Sequence, residues 1–502
     1  MSELMARSNG IVSGLLRCMQ CSVESGGRQS VSVIKSIAAV LLVSAASPAF
    51  AAEPDDSAAL RAEIERLKAA VAALEMRLDQ ADAKSASNAA AKPATPVPAG
   101  GSASGAGLAS AAPAKQEDEQ TSIVWRGSPQ FIQDDARFKV KGRLQYDAGY
   151  LVTPSAIRDK ARGFSNETRR LRLGGEGMLN GDFGYKLEFE LSDNAVELVD
   201  AFITYRKDRW LVTLGNHNSF QSLDELIGDT SGSVMERAAF TDAFNFERRL
   251  GLSVQYQQGP MLLQAGVFTD DVRALANSSD GVSGGDENNS VSLDGRMVFA
   301  PKLTSGGQLH FATSYHWRDF NRLGEGTQTY AQRPFLHSVN SRFLGVTTRG
   351  TGEMNYGVEA AGVFGRFHYA AEGHWLRVLR PGLADPTFFG AYGEVGYYLT
   401  KGDTRAYSNG IMGIPKPAHP WGKGGIGSIQ INLRYDYLDL NDAGLIGGTQ
   451  NGGIVGVIWS PIQYLRFNFN YGHLSYTDAI IAAGADRDYN VDVFGVRAEL
   501  DF

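Results

Sequence analysis

The feature that most constrains this chain is a strict alternation of apolar and polar residues that starts at Phe138. Up to Tyr150, apolar or small residues occupy every second position, with Lys139, Lys141 and Arg143 among the polar residues between them. A period of two puts one residue type on each face of a β-strand. The run is longer than an ordinary globular strand, which predicts a tilted strand that crosses a bilayer.

The alternation recurs to the C-terminus. Clear examples are 170–179, 185–191, 309–318, 429–437 and 465–471. The length of this region predicts about 16 strands, wide enough for an aqueous channel. The predicted fold class is therefore all-β, a transmembrane antiparallel barrel over residues 135–502. The alternative is a soluble β-sandwich, which would need a buried face between two sheets rather than so many long alternating strands.

The predicted connections differ in length. Gln258–Pro260 and Gly365–Arg366 read as tight turns, whereas Asp270–Ser290 and Arg318–Gly352 read as long loops. Short turns on one side and long loops on the other are typical of outer-membrane barrels. Apolar residues alternate back from the terminal Phe502, the pattern expected for a strand that closes such a barrel.

The composition agrees with a transmembrane β-barrel and argues against transmembrane helices. No run of about 20 apolar residues exists, so a helical membrane protein is excluded. Hydrophobic residues make up 43% and the mean hydropathy is -0.20, as expected when every second residue faces water.

The N-terminus predicts export. Lys35 precedes an apolar run over 37–50, and the small residues around Ala51 suit cleavage there. Residues 1–51 are thus a predicted signal peptide with an N-terminal extension; the alternative is a membrane anchor.

Cys18 and Cys21 could form a metal or redox pair, but both precede the cleavage site. The mature chain keeps 44 basic and 53 acidic residues, so no nucleic acid partner is expected.

Residues 52–84 predict a short coiled coil. The apolar seam consists of Leu60, Ile64, Leu67, Val71, Leu74 and Leu78. Oppositely charged pairs five apart, such as Glu63–Lys68, flank it and favour a parallel association. The alternative is one amphipathic helix on a surface. Residues 85–134 are predicted to be a flexible linker, since the Ala, Ser, Gly and Pro residues that dominate it up to about Gln120 cannot bury enough surface.

Several stretches together resemble the phosphate-selective porin O and P family over about 135–502. They are 168–177, 184–189, 235–237, 248–251, 397–407 and 433–440, followed by Gly452, Gly453 and Trp459. The resemblance implies a trimeric barrel of sixteen strands with an arginine-lined path for anions. One departure is that Gly215–Glu225 lacks the lysine and proline that the family usually has there.

The inward faces of the predicted strands carry the candidate pore-lining cations. These are Lys139, Lys141, Arg143, Arg170, Arg172, Lys186, Arg296, Arg318, Arg434, Arg466 and Arg497. Guanidinium groups can hold oxyanions with two hydrogen bonds, but acids share the same faces, so any one arginine can instead be a partner within the wall. The predicted constriction is the segment 216–247, with Glu236, Arg237, Arg248 and Arg249 as candidates; an extracellular loop is the alternative.

The sequence contains few of the patterns that would indicate an enzyme. The histidines are scattered without metal-ligand spacing, and no GxSxG, P-loop or HExxH occurs. We therefore expect no catalytic residues, metal or cofactor. The leading hypothesis is a homotrimeric porin in the outer membrane of a Gram-negative bacterium that passes phosphate or related oxyanions, with the coiled coil in the periplasm. The alternatives are a general or cation-preferring porin, and a barrel anchor that contacts the cell wall through the coiled coil.

Overall fold

The structure is a computed structural model that describes residues 121–158, 162–192, 196–272, 290–320 and 326–502. The predicted signal peptide, the coiled coil and the linker up to residue 120 lie outside the described residues. In the part of the chain that is described, no helix combines the length and the apolar character that crossing a membrane requires.

Within the described residues, twenty-two strands and two short helices follow one another. The first strands are β1 (Ser122–Trp125), β2 (Pro129–Gln133), β3 (Ala136–Val152), β4 (Gly163–Met178), β5 (Phe183–Glu190), β6 (Glu197–Lys207) and β7 (Trp210–Asn218). Helices α1 (Leu223–Leu226) and α2 (Ala239–Ala243) come next, with a single 3₁₀ turn between them at Asp229–Ser231.

The remaining strands lead to the C-terminus. They are β8 (Arg248–Gln258), β9 (Met261–Phe268), β10 (Val291–Phe299), β11 (Gln308–Asp319), β12 (Gly326–Gln332), β13 (Leu344–Gly350), β14 (Gly352–Phe364), β15 (Phe367–Leu379), β16 (Thr387–Tyr398), β17 (Ala406–Ser408), β18 (Ile411–Gly413), β19 (Ser428–Asp442), β20 (Leu445–Ile462), β21 (Leu465–Thr477) and β22 (Tyr489–Asp501).

The predicted barrel is confirmed: sixteen antiparallel strands form a closed sheet. These strands are β3–β11, β14–β16 and β19–β22. Closure joins β22 to β3, in the register Val496↔Ala148. Phe502 takes part in this closure, because its N–H donates to the Gly142 carbonyl at 2.9 Å and its carbonyl accepts the Gly142 N–H at 3.1 Å.

The two faces of the barrel follow the alternation read from the sequence. Leu214, Leu252 and Leu293 are about half exposed on the outer face, where lipid would cover them. Aromatic residues gather on the outer face near both rims. They are Phe183, Tyr205 and Trp210 near the short turns, and Tyr150, Tyr315, Tyr356 and Trp375 near the long loops. Such girdles mark the two bilayer interfaces.

Two differences from the sequence-based prediction concern the short-turn side. The predicted flexible linker ended at residue 134, but β1 and β2 form a hairpin there and β2 pairs with β3. Four alternating residues are enough for this pairing because β3 extends past its neighbours and offers a free edge. Second, the β16–β19 connection over 399–427 is long and carries the hairpin β17–β18, although the tight turn at Gly365 lies on the same side of the barrel.

Candidate functional site

A loop of 29 residues, 219–247, connects β7 to β8 and lies inside the barrel. We call it the inner loop. Helix α1 begins after Ser222, whose hydroxyl accepts the Glu225 N–H at 3.2 Å. The N–H groups of Leu223 and Asp224 donate to the inward-facing Glu372 carboxylate of β15 at 2.9 and 3.0 Å. A carboxylate of the wall thus satisfies amides at the helix start that have no partner within the helix.

One side of the inner loop packs tightly against the β15–β19 wall. Arg434 reaches Glu394 at 2.7 Å and Asp224 of the loop at 3.4 Å. The ring of Phe240 in α2 stacks on His374 with 4.8 Å between centroids. These contacts hold α1 and α2 against this part of the wall.

Arg497 fixes the middle of the inner loop to the closing strand. Its guanidinium group donates to both oxygens of Asp147 at 2.7 Å and to the Met235 carbonyl at 2.6 Å, and it also pairs with Glu236. Arg169 lies 3.6 Å from the same Glu236. Burial alone would raise the pKa of Glu236, but Arg169 and Arg497 lower it to about 2, so this carboxylate is charged.

Asp229 of the inner loop sits among four arginines. Arg170 lies at 2.9 Å and Arg237 at 2.9 Å, with Arg143 at 3.4 Å and Arg172 at 3.8 Å. Although burial opposes ionisation, these cations hold the pKa of Asp229 well below its usual range. The cluster joins the loop to β3 and β4, and its arginines also pair with Glu188, Glu190, Glu225 and Asp501.

Two cavities lie along the open side of the inner loop. The loop-side cavity, of about 320 Å³, is lined by residues from the long loops such as Arg333 and Arg342, together with Arg169 and Glu236. The turn-side cavity, of about 420 Å³, reaches Arg209 near the short turns. Both linings include Glu225 and Arg237, so the two cavities meet at this pair.

Glu225 and Arg237 form an ion pair of 2.9 Å at this junction. Burial raises the pKa of Glu225 to about 7, against the opposing effect of Arg237 and Arg248. The carboxyl group of Glu225 therefore changes charge near neutral pH.

The turn-side cavity is richer in cations than in acids. Its lining contains seven cationic side chains, Arg143, Arg172, Lys186, Arg206, Arg209, Arg237 and Arg248, and four acidic ones, Glu188, Asp200, Glu225 and Asp229. Lys186 and Arg248 share Asp200, the latter at 2.6 Å. The loop-side cavity is balanced, with four arginines and four carboxylates in its lining.

The long segment 399–427, which we call the turn-side segment, also enters the lumen. The Tyr407 hydroxyl lies 2.7 Å from Nδ1 of His310, and Arg296 donates to the Gly410 carbonyl at 3.0 Å. Asn409 and Ile411 at the hairpin tip line the turn-side cavity. The lumen is therefore narrowed from both ends.

The structure divides the eleven predicted pore-lining cations into groups. Arg143, Arg172 and Lys186 line the turn-side cavity, and Lys141 lies beside Arg143 and Arg172. Arg434, Arg466 and Arg497 hold the inner loop, whereas Arg296 holds the turn-side segment. Arg170 clamps Asp229, Arg318 pairs with Asp270, and Lys139 faces Glu176 across the β3–β4 register.

The four constriction candidates also separate. Glu236 and Arg237 belong to the inner loop and line the loop-side cavity, and Arg248 lines the turn-side cavity. Arg249 points elsewhere, 3.9 Å from Asp270. Sequence reasoning missed Glu225 and Asp229, and the signal that could have found them is their place in the long segment that departs from the strand period.

The described residues contain no set of three or more His, Cys, Asp or Glu side chains placed to hold a metal ion. The two cavities present rows of fixed charges to the lumen, and fixed charges along a pore are what channels use to select ions.

The chain is similar to several known proteins. A protein of Caulobacter vibrioides described as "Uncharacterized protein" is 50% identical over 494 residues, covering 96% of this chain and all of that protein. An anion-selective porin from Comamonas acidovorans covers 73% of this chain and 100% of its own, with 13% identity and a TM-score of 0.46. Pseudomonas putida OprB covers 74% of this chain and 95% of its own, with 11% identity and a TM-score of 0.47.

The family assignment rests on the sequence of the barrel itself. The family model described as "Phosphate-selective porin O and P" matches residues 138–502. This match extends from β3 to the last residue and covers well over half of the chain. The chain therefore belongs to the phosphate-selective porin O and P family of outer-membrane channels.

Proposed function

We propose that the barrel conducts small anions, phosphate or related oxyanions, by passive diffusion. The observation that supports this most is the charge of the turn-side cavity, with seven cations against four acids in its lining. An excess of fixed positive charge raises the local concentration of anions and lowers that of cations. Guanidinium groups also bind oxyanions through paired hydrogen bonds without trapping them permanently when several lie in a row.

The test is the reversal potential of the purified protein in a planar bilayer under a KCl gradient and then a phosphate gradient. We expect an anion-selective potential. Arg248→Gln should reduce it, since Asp200 keeps Lys186 as its partner while the cavity loses one cation. Arg366→Gln is the matched control, because Arg366 lies over the Tyr397 ring and lines neither cavity. A cation-selective potential, or none, would contradict the anion proposal.

A general porin of weak selectivity is the second candidate. It is favoured by the loop-side cavity, in which four arginines face four carboxylates. If this balanced cavity controlled permeation, Arg248→Gln would leave the reversal potential unchanged, whereas Arg333→Gln would shift it toward cations. The two substitutions together therefore separate the candidates.

We also propose that the mature protein is a homotrimer. A groove of about 480 Å³ on the outer face is lined mainly by apolar side chains, such as Phe164, Val455 and Phe494. An outward-facing His473–Asp492 pair, 2.7 Å apart, lies on the same strands. Charged groups are costly when they face lipid, and a second subunit that covers these strands would shield them.

The predicted N-terminal segments complete the proposal. Export through a signal peptide ending at residue 51, a periplasmic coiled coil over 52–84 and a tether after it are proposals from the sequence. Deleting residues 52–120 should leave conductance unchanged if the barrel is a channel by itself. A loss of envelope integrity with unchanged conductance would support the cell-wall contact.

A further inference from the structure

A second cluster of buried polar side chains lies away from the two cavities. It fills the space between the turn-side segment and the inner faces of β15, β16, β19 and β21. Its members are His368, Tyr398, Arg405, Ser428, Asn432 and Arg466, and each is more than nine-tenths buried. We call it the Arg405–Arg466 cluster.

The two arginines converge on neighbouring residues of the inner loop. Arg405 donates to the Ser231 carbonyl and, at 2.6 Å, to the Ser233 hydroxyl. Arg466 donates to the Gly232 carbonyl at 3.0 Å. Because consecutive Cα atoms are only about 3.8 Å apart, two guanidinium groups bound to adjacent carbonyls lie near each other.

Little negative charge compensates these two cations. Arg466 has one carboxylate partner, Glu499 at 3.6 Å, and that carboxylate also accepts a hydrogen bond from Gln145 at 2.7 Å. Among the described residues, Arg405 forms no ion pair with a carboxylate. The carboxylate of Glu394 lies beyond the Ser233 hydroxyl, which donates to it at 2.6 Å, but Glu394 also pairs with Arg434 at 2.7 Å. Burying cations without full compensation is costly, and the two arginines of the cluster share carboxylates that other donors already use.

The unpaired atoms of the cluster are almost all hydrogen-bond donors. Without a hydrogen-bond partner are the donors Nε of Arg405, Nε and Nη1 of Arg466 and Nδ2 of Asn432, and the hydroxyl groups of Tyr398 and Ser428, which can donate or accept. Asn468 contributes the one unpaired acceptor, Oδ1, from the neighbouring wall. Buried donors in native proteins almost always have a partner, and a set dominated by donors calls for an acceptor.

His368 adds another donor to this set. Its Nε2 faces Gln430 Nε2 at 3.0 Å and Arg405 Nη1 at 3.4 Å, and both of these atoms can only donate. When Nε2 accepts these bonds, the proton of the neutral ring lies on Nδ1. That Nδ1 has no partner in the protein.

We propose that the Arg405–Arg466 cluster binds a small inorganic anion, of the size of a halide or a single oxyanion, outside the permeation path. Water could accept some of the free hydrogen bonds, but it brings no negative charge to two buried guanidinium groups. The bound anion would join Arg405 of the turn-side segment to Arg466 of β21, beside the stretch of the inner loop that both arginines hold.

Crystals of the full-length protein soaked in bromide provide the direct test. We expect an anomalous peak within hydrogen-bonding distance of both guanidinium groups in the wild type, and none in Arg466→Gln. Soaks in phosphate should place an oxyanion there if the space admits one. A well-ordered cluster with water and no bromide would overturn the proposal, as would a peak that appears at molar bromide alone, which would indicate an adventitious ion only.

Thermal unfolding in detergent provides a second test that does not depend on conductance. The midpoint should rise with bromide concentration in the wild type, as for a ligand that binds only the folded state. Tyr398→Phe removes one donor and no charge, so it should fold and weaken bromide about tenfold. Arg377→Gln, at an exposed ion pair with Asp385, is the control and should respond like the wild type. Equal bromide dependence in all variants would overturn the proposal.

Discussion

Glu225 is the side chain whose charge should matter most for selectivity, because it stands where the two cavities meet. Its pKa is raised to about 7, mainly by burial. Below that pH the carboxyl group is neutral and the junction keeps the positive charge of Arg237. We therefore expect anion preference to increase as the pH falls from 8 to 6.

The size of this effect follows from Coulomb's law. One unit charge about 4 Å away in water is worth about 1 kcal/mol, or about fivefold in local anion concentration. Glu225→Gln has no carboxyl group to titrate, so it should show at every pH the stronger anion preference that the wild type shows at pH 6. Reversal potentials measured at pH 6 and pH 8 test both statements. A wild-type channel with the same selectivity at both pH values would contradict them.

Arg434 illustrates a different use of a lumen-facing arginine. It pairs with Glu394 at 2.7 Å and reaches Asp224 of the inner loop at 3.4 Å. Arg434→Gln would leave Glu394 buried without its charge partner, a change that typically costs roughly 3–5 kcal/mol. We expect a lower unfolding temperature in gel-shift assays. We also expect a larger single-channel conductance with larger current fluctuations, because Arg434 no longer holds the inner loop against the wall.

Arg377→Gln is the comparison for this substitution. Arg377 is on strand β15, but 54% of its side chain is exposed and its partner Asp385 lies in a surface loop. Exposed pairs contribute little, so unfolding and conductance should stay near the wild type. A similar loss in both variants would mean that Arg434 has no particular role in holding the loop.

These residues also show what the strand period could and could not predict. Alternation correctly assigned Arg172, Arg434 and Arg497 to the inner face, because the side-chain period of a strand is two. It could not tell that Arg172 lines a cavity while Arg434 and Arg497 lie under the inner loop. That difference depends on where the loop rests, which is a tertiary packing property without a local sequence signal.

The turn-side segment is the element whose role in the pore can be tested most simply. Asn409 and Ile411 at the tip of its hairpin line the turn-side cavity and carry no charge. Replacing residues 407–412 with two glycines should increase single-channel conductance, since the tip no longer narrows the lumen. Anion preference should change little, because the seven cations of the cavity remain.

A matched control is a deletion of similar size over 481–485 in the loop between β21 and β22, which lines neither cavity. Conductance should be unchanged there. If the two deletions had the same effect on conductance, the turn-side segment would not be part of the constriction.

Strands were easier to predict than connections. Long alternating runs and the turns at Gly259 and Gly365 were assigned correctly, and both glycines have the positive φ of 56° and 58° that a tight turn requires. The hairpin β1–β2 and the turn-side hairpin β17–β18 were missed. Their strands have three to five residues, and such short runs acquire strand geometry from the partner they pair with.

In the whole molecule, the strands form the wall of the barrel, and two connections between strands occupy much of its interior. The inner loop and the turn-side segment are held by side chains from strands on several parts of the circumference, including Glu372, Arg434 and Arg497. Many carboxylates and guanidinium groups on this inner surface are buried in ion pairs, such as Arg434–Glu394 and Arg497–Asp147. We therefore expect ion selectivity to depend on the charges that face the two cavities more than on the net charge of the chain.

The assembly of several barrels is the remaining question at this level, and the outer groove makes it testable. Val455 lines the groove and is 40% exposed. Val455→Trp would fill the space into which a neighbouring subunit fits, so we expect native mass spectrometry in detergent to show monomers instead of trimers. Leu263→Trp is the control, because Leu263 is 44% exposed on β9 and does not line the groove.

Since each barrel encloses its own cavities, Val455→Trp should keep the anion preference of single channels. Its conductance should appear in single steps rather than in the triple steps expected of a trimer. Wild-type protein that is monomeric at every concentration would contradict the trimer, and it would leave the outward-facing His473–Asp492 pair to be accommodated by lipid headgroups.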